Sequence, residues 1–486
     1  MPRNLIILER PEQWADKLSN AEVISASAYL TGDYGIGGRS VRVYNLCQSY
    51  RYQSAGYYIS LLAEARGHQP YPSVSTIQDM RSAAIARSLS KSVDDLLQSS
   101  LNTLKGDQFV LSIYFGKNLA KRYDRLAARL AALFPSPLLR AQFSRKKGSG
   151  KWQLTSISAI PTEDVPADHW DFVIEAAHLF FKRPPSSSSL PNPKFTIAIL
   201  TDPSEPNPPS DEKALRRFAD AARKLRMETE MITREDLPRL GVFDGLFIRA
   251  TTSVNHFTYR FARQAEAKGM TVIDDPVSIV RCTNKVFLSE ILTRHKIPTP
   301  RTRIVYRDNL PAIEEELGLP LILKLPDSAF SIGVQKVSTS EELRIAAKEM
   351  FSASDLIIAQ EYVPTDFDWR IGVLEGKPLY ACKYFMARGH WQIYNNDTSV
   401  KRDKSGDFEC VPVELVPRPV IHAALRACDV IGRGLYGVDL KEIDGRPSVI
   451  EINDNPSLDA DIEDKLLREL LWERLAETFY RRMEAH

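Results

Sequence analysis

The chain has five cysteines in 486 residues (Cys47, Cys282, Cys382, Cys410 and Cys428). They are scattered, odd in number and contain no CxxC, which excludes a disulfide framework and a zinc-ribbon site. This usage fits a reducing cytoplasm. Neither sign of charge dominates, with 64 basic against 62 acidic residues. A nucleic-acid partner would need a basic bias, and the short run Arg145-Lys146-Lys147 beside Gly148 reads as a solvated loop. No apolar run reaches the length of a membrane span. The apolar stretch within Met1–Arg10 is too short for a signal peptide. There is no recognisable Ser/His/Asp or Cys/His signature. Gly32, Gly35, Gly37 and Gly38 have the spacing of neither a P-loop nor a dinucleotide fingerprint, so they read as a turn.

What is present is enough apolar residue, 43%, to build roughly two to four domains. The clearest boundary is Arg183-Pro184-Pro185-Ser186-Ser187-Ser188-Ser189-Leu190-Pro191-Asn192-Pro193. Pro and Ser at this density hold neither helix nor central strand. Residues 1–182 precede this linker. Val41–Leu46 reads as a strand, Ser54–Arg66 as a helix closed by Gly67, and Asp171–Lys182 as another helix. After the linker, Phe195–Leu200 is a buried-strand run and Asp211 to about Arg226 an amphipathic helix. Gly245–Arg249 and Met270–Asp274 are further strands. Strands alternating with helices predict a small parallel α/β domain over 194–275. Arg249 and Asn255 stand at a strand end, where ligands of open α/β sheets bind, or are simply loop polar residues.

The most informative stretch is Gly437-Val438-Asp439-Leu440 followed by Val449-Ile450-Glu451-Ile452-Asn453-Asp454-Asn455-Pro456-Ser457. Two β-rich segments flank the turn signal Asp444-Gly445. Glu451 and Asn453 share one strand face, and Ile450 and Ile452 are expected to point into a core. With Asp439 they make an all-oxygen cluster of the kind that suits Mg²⁺. A condition applies. A two-residue turn pairs Asp439 with Ile450 and turns Asp439 away from Glu451. A three-residue loop, or a bulge of the same effect, restores the common face. Without either, the hairpin reads as a solvated turn.

These residues resemble the metal-binding end of the ATP-grasp ligases, most closely the RimK-type carboxylate–amine ligases. The resemblance covers 194–486 well. It covers 1–182 loosely, where Asn45–Tyr52 and Gly56–Gly67 resemble the N-terminal extension of some RimK-like proteins. It implies an α/β and α+β multidomain fold: an N-terminal α/β extension (1–182), a linker (183–193), a small parallel α/β domain (194–275) and an ATP-grasp domain of two subdomains (276–486). It also implies that Asp439, Glu451 and Asn453 bind two Mg²⁺, or Mn²⁺ in their place, on the phosphates of ATP. Lys285 and Lys324 match the family's two ATP-binding lysines. From the residues alone, Lys285 is also an ordinary exposed helix lysine, whereas Lys324, in the apolar run Leu319–Pro326, is costly unless paired.

Asp327–Val334, with Ser331 and Gly333, sits where the family has a glycine-rich lid, but it carries one glycine. Gln360, Glu361 and Tyr362 match the adenine pocket. Asp368-Trp369-Arg370 resembles the family's Asp-x-Arg. Asp368 and Arg370 share a face, and Arg370 meets phosphate or makes a cross-strand salt bridge. Lys383 and Asn395 match the region that faces the acceptor, where the resemblance makes Asn395 a metal or phosphate neighbour and Lys383 reads equally as a solvated strand lysine. The glycine pair usual there is missing, so acceptor specificity does not transfer.

The expected activity is ATP-dependent amide formation through an acyl-phosphate. An amino acid such as glutamate is added to a peptide, a protein or a small amino-acid substrate. The expected partners are ATP and these substrates, with neither nucleic acid nor membrane, and with a second copy of the chain in a homo-oligomer. Two alternatives stand beside it: a phosphotransferase on the same fold, and a nucleotide-binding regulatory or scaffold protein.

Overall fold

The computed structural model describes residues 3–11, 14, 21–32, 41–82, 86, 93–146, 150–181, 193–327, 333–388, 390–393 and 406–485. Ser331, Asn395 and all but the end of the expected linker lie outside them. The chain divides into two compact units, Met1–Thr196 with Glu235–Asp244, and Ile197–Arg234 with Gly245–His486.

In the first unit, strands β1 (Arg3–Leu8), β2 (Glu22–Ser25), β3 (Val41–Asn45) and β4 (Gln69–Tyr71) form a parallel sheet in the order β2-β1-β3-β4. Parallel strands are buried on both faces, and every residue of β3 is buried. The helix Ala55–Ala65 starts where the Ser54 hydroxyl accepts from the Tyr57 N–H. Strands β5 (Gln108–Tyr114), β6 (Leu138–Arg145) and β7 (Trp152–Ala159) form an antiparallel sheet with its own core. The segment Glu235–Asp244 belongs here because the Asp244 carboxylate accepts from the buried Arg42 Nη2 at 3.1 Å and from the Thr196 N–H at 2.8 Å.

The second unit takes up β8 (Phe195–Leu200) from Ile197 onward and holds β9 (Met227–Ile232), β10 (Gly245–Ile248) and β11 (Thr271–Ile273), in the order β11-β10-β8-β9. β8, β10 and β11 run parallel. The helix Glu212–Lys224 follows β8, its first turn capped by Asp211, whose Oδ1 accepts from the Ala214 N–H at 2.6 Å. Two antiparallel sheets follow. One contains β12 (Thr302–Val305), β13 (Leu321–Lys324), β14 (Val334–Val337) and β15 (Ile357–Glu361), ordered β12-β15-β13-β14. The other contains β16 (Phe367–Leu374), β17 (Lys377–Phe385), β18 (Phe408–Cys410), β19 (Leu435–Ile443) and β20 (Arg446–Asn453), ordered β18-β17-β16-β19-β20. One face of this five-stranded sheet packs Trp369, Ile371, Val438, Leu440, Val449 and Ile452 against helix residues Val420, Ala424 and Ala427. That burial leaves the other face for polar side chains.

Candidate functional site

The β19–β20 hairpin decides the site. Ile443 pairs with Arg446 across a two-residue turn in which Asp444 (φ +51°) and Gly445 (φ +72°) are both left-handed. This geometry matches the twist of a hairpin. Continued regularly, it would put Asp439 opposite Ile450. Instead Leu440 pairs with Val449 while Asp439 pairs with Glu451, so Ile450 is the extra residue of a bulge. The bulge meets the condition set by the sequence: Asp439, Glu451 and Asn453 share a face. It also corrects one expectation, because Ile450 is not a core residue like Ile452. It lines a cavity of about 410 Å³.

Lys285, Lys324, Gln360, Glu361, Tyr362, Asp368, Arg370, Asp439, Glu451 and Asn453 all line this cavity. Each charged group already has a partner. Lys285, at the start of the helix Lys285–Arg294, holds Glu451 Oε1 at 2.9 Å. Arg370 donates to both Asp439 oxygens, at 2.6 and 2.8 Å. Lys441 donates to Asp368 Oδ1 at 2.7 Å. Lys324 Nζ donates to Gln360 Oε1 at 2.8 Å, and Gln360 Nε2 donates to Thr302 at 2.9 Å.

Burial pushes the Lys324 ammonium down to about 8, with Glu451 pulling the other way. Burial alone would raise Glu451, but the ion pair with Lys285 and the charge of Lys324 outweigh it and hold the carboxyl low. Burial raises the Asp439 carboxyl although Arg370 grips it bidentately. Glu361 is turned partly outward, held below its ordinary value against burial by the Arg301 backbone and guanidinium. Tyr362 carries Lys336 Nζ 3.8 Å from its ring centroid and meets the Trp391 ring nearly perpendicularly, centroids 6.2 Å apart.

Gly333 closes the lid segment at φ +72°, its carbonyl accepting from the Leu325 N–H at 2.9 Å. A Cβ there would meet Leu325 at 2.9 Å. Lys383 is not brought to the cavity. It stands opposite Trp369 in the sheet, on the face away from Arg370, with Nζ 3.4 Å from Glu409. Arg249 is neither loop surface nor open to ligand. It is buried and donates to Ser210, Asn455 and the Pro209 and Pro456 carbonyls, which ties the Asn455–Ser457 loop to the end of β10. Asn255 is exposed.

Among the charged cavity residues, Lys441, Asp327 and Asp454 were given no role of their own in the sequence. Lys441 had a signal, because it lies two residues beyond Asp439 on the same strand. Asp454 is buried, its carboxyl is pushed up to about 7 by burial, and its Oδ2 has no hydrogen-bond partner.

Two antiparallel sheets thus bring cations and an all-oxygen triad around one cavity. Residues 26–176 match the family described as RimK-like ATPgrasp N-terminal domain, and residues 259–460 match D-ala D-ala ligase C-terminus. A probable alpha-L-glutamate ligase of Psychromonas ingrahamii is 28% identical over 229 residues, 46% of this chain and 72% of the relative. Another, of Rhodopirellula baltica, is 27% identical over 225 residues, 46% of this chain and 53% of the relative. Over these segments the chain is similar to the RimK-like ATP-grasp ligases. Like these proteins it is an ATP-grasp ligase that forms carbon–nitrogen bonds, and ATP-grasp ligases use ATP and a divalent metal. Among solved structures, the D-alanine–D-alanine ligase of Bacillus anthracis superposes on this ATP-grasp ligase with a TM-score of 0.48 at 18% identity, over 60% of this chain and 100% of that one. Among the described residues, no helix is long and apolar enough to cross a membrane.

The triad fits a hard divalent cation. Two carboxylates and an amide supply few protein oxygens and leave coordination places for water and phosphate. Among the described residues no group of three His, Cys, Asp or Glu forms a competing metal cluster. Asn453 Nδ2 now points at Asp439 Oδ2, at 3.2 Å, so holding a cation requires the amide turned to present its oxygen.

Proposed function

We propose that this chain is an ATP-dependent carboxylate–amine ligase that joins an amino acid such as glutamate to a peptide, a protein or a small amino-acid substrate, in the cytoplasm and as a homo-oligomer. The observation that carries this reading is the bulged hairpin: it aligns Asp439, Glu451 and Asn453 on one face, in the cavity that Lys285, Lys324 and Arg370 also line. Asp439, Glu451 and Asn453 would hold the two Mg²⁺ ions, which when bound neutralise phosphate charge. The present ion pairs act as placeholders. With Asp439 and Glu451 holding the metal, Arg370 and Lys285 would be able to meet phosphate. Lys324 meets the nucleotide phosphates, and Gln360, Glu361 and Tyr362, with Ile322 and Ile450, form the adenine end. Asp368 is the counter-charge that sets Lys441. A substrate carboxylate attacks the γ-phosphate, ADP leaves, and Arg370 stabilises the charge that develops. An amine then displaces phosphate from the acyl-phosphate, and the amide forms without a protein nucleophile. Ser331 and Gly333, in the lid, and Asn395, as a metal or phosphate neighbour, belong to the same proposal as cofactor-binding residues. Lys383 does not, given its face.

The test is ADP and phosphate release from Mg²⁺-ATP across pools of amino acids and peptides, with mass spectrometry of the products. Substrate-dependent ADP release with a new amide mass is the expected result. ATP consumption with a phosphorylated product and no amide would make this a phosphotransferase, and ATP binding without turnover would favour the regulatory reading. Unchanged turnover in Glu451→Ala would sink the metal assignment.

A further inference from the structure

Cys410, Cys382, Arg370, Asp439 and Glu451 are successive cross-strand neighbours, one residue from each strand of the five-stranded sheet. Cross-strand neighbours share a face and their side chains touch. The row that ends on the candidate phosphate and metal residues therefore begins with two thiols. Their sulfurs are 3.5 Å apart. The backbone bonds from Val411 N–H to the Ala381 carbonyl and from Phe385 N–H to the Asp407 carbonyl place Cys382 and Cys410 at a non-hydrogen-bonded pair. At such a pair the Cα atoms approach to about 4.5 Å, inside the range a disulfide spans.

The two thiols differ. Cys382 is fully buried, and burial and its Cys410 partner raise it. Cys410 is half-exposed, and the Cys382 hydrogen bond and nearby Lys465 lower it. Cys410 also donates its S–H to the Ile462 carbonyl at 2.9 Å. The next residue, Glu463, accepts from the Tyr384 hydroxyl, and the Arg370 guanidinium lies 5.4 Å from the centre of the Tyr384 ring.

We propose that Cys382 and Cys410 are a redox modification site: a low-molecular-weight disulfide oxidises them to a reversible cross-strand bond, which releases the Ile462 carbonyl and loosens the segment that backs Tyr384 and Arg370. The accessible Cys410 thiolate attacks one sulfur of the oxidant and expels the first thiolate, forming a mixed disulfide. Cys382 then attacks the Cys410 sulfur and expels the second. The protons of the two cysteines pass to the two leaving thiolates. The protein loses two electrons and two protons, and the oxidant becomes two thiols. Cys47, Cys282 and Cys428 are buried and do not take part.

The test treats the full chain with oxidised glutathione. The expected result is a mass lower by two hydrogens, peptides joined through Cys382 and Cys410, slower amide exchange across β17 and β18, and faster exchange over Asp459–Lys465. Dithiothreitol reverses all of these, and none of them occurs in Cys410→Ser, whereas Cys47→Ser behaves as the parent. The proposal fails if the thiols stay reduced, if reaction stops at a mixed disulfide, if Cys282 and Cys428 join instead, or if the bond forms with exchange over Asp459–Lys465 unchanged. None of these readouts needs turnover, so this failure is separable from failure of the ligase reading.

Discussion

At Lys324 an ammonium sits buried at the end of an apolar strand with one amide oxygen for company. Because burial holds it down to about 8 in the free protein, its charge is complete only below that pH. A triphosphate needs the charge, so above pH 8 binding must take up a proton. ATP affinity is therefore expected to fall as pH rises through about 8, with a matching proton uptake in calorimetry across buffers. In Lys324→Met both the affinity and this pH slope are lost. Arg370 and Asp439 are each largely buried and grip each other bidentately. Arg370→Met leaves the carboxylate without its counter-charge, and a loss of about 3–5 kcal/mol in urea unfolding is expected, as for other broken buried pairs. Adding Asp439→Leu should recover much of it, since the penalty lies in the unpaired charge.

At the scale of elements, the turn Asp444-Gly445 and the bulge at Ile450 jointly set the site. Gly445 is exposed with nothing near its missing Cβ, so a substitution there acts on backbone conformation alone. Gly445→Val is expected to cost about 1 kcal/mol, measured by urea unfolding, with ATP affinity nearly unchanged because the register downstream is pinned by Val449 and Ile452 in the core. That pinning shows what was legible beforehand. The apolar runs announced β8, β10 and β13. The pattern around Asp439 and Glu451 announced an oxygen cluster together with the alternatives that would assemble it. The choice between loop and bulge was not legible, because two hairpins with different turns have the same local sequence preferences and differ only in which residues a distant helix buries. Lys383 shows the same limit. Motif position put it with the acceptor residues, but the period of two on β17, fixed by the pairing of Trp369 with Lys383, puts it on the other face. Arg249 read as a ligand candidate at a strand end. Its actual partners, the Pro209 and Pro456 carbonyls among them, are far apart in sequence.

At the scale of the molecule, every residue lining the cavity lies in the second unit, which invites expression of residues 193–486 alone. The chain argues against that shortcut. Glu235–Asp244 lies within that fragment by sequence but packs in the first unit. There Asp244 serves the buried Arg42, and the Tyr71 hydroxyl donates to the Gly241 carbonyl at 3.3 Å. Leu237 and Leu240 are buried there as well. A fragment starting at 193 keeps this segment and discards its surroundings, so apolar side chains meet water and Asp244 loses its guanidinium. We therefore expect residues 193–486 alone to aggregate or to unfold at a clearly lower temperature than the full chain in differential scanning calorimetry. Co-expression with residues 1–192 should restore solubility, because the segment regains its partners without a covalent link. A freely soluble 193–486 fragment with the full chain's melting temperature would show that Glu235–Asp244 contributes nothing to holding the two parts of the sequence together.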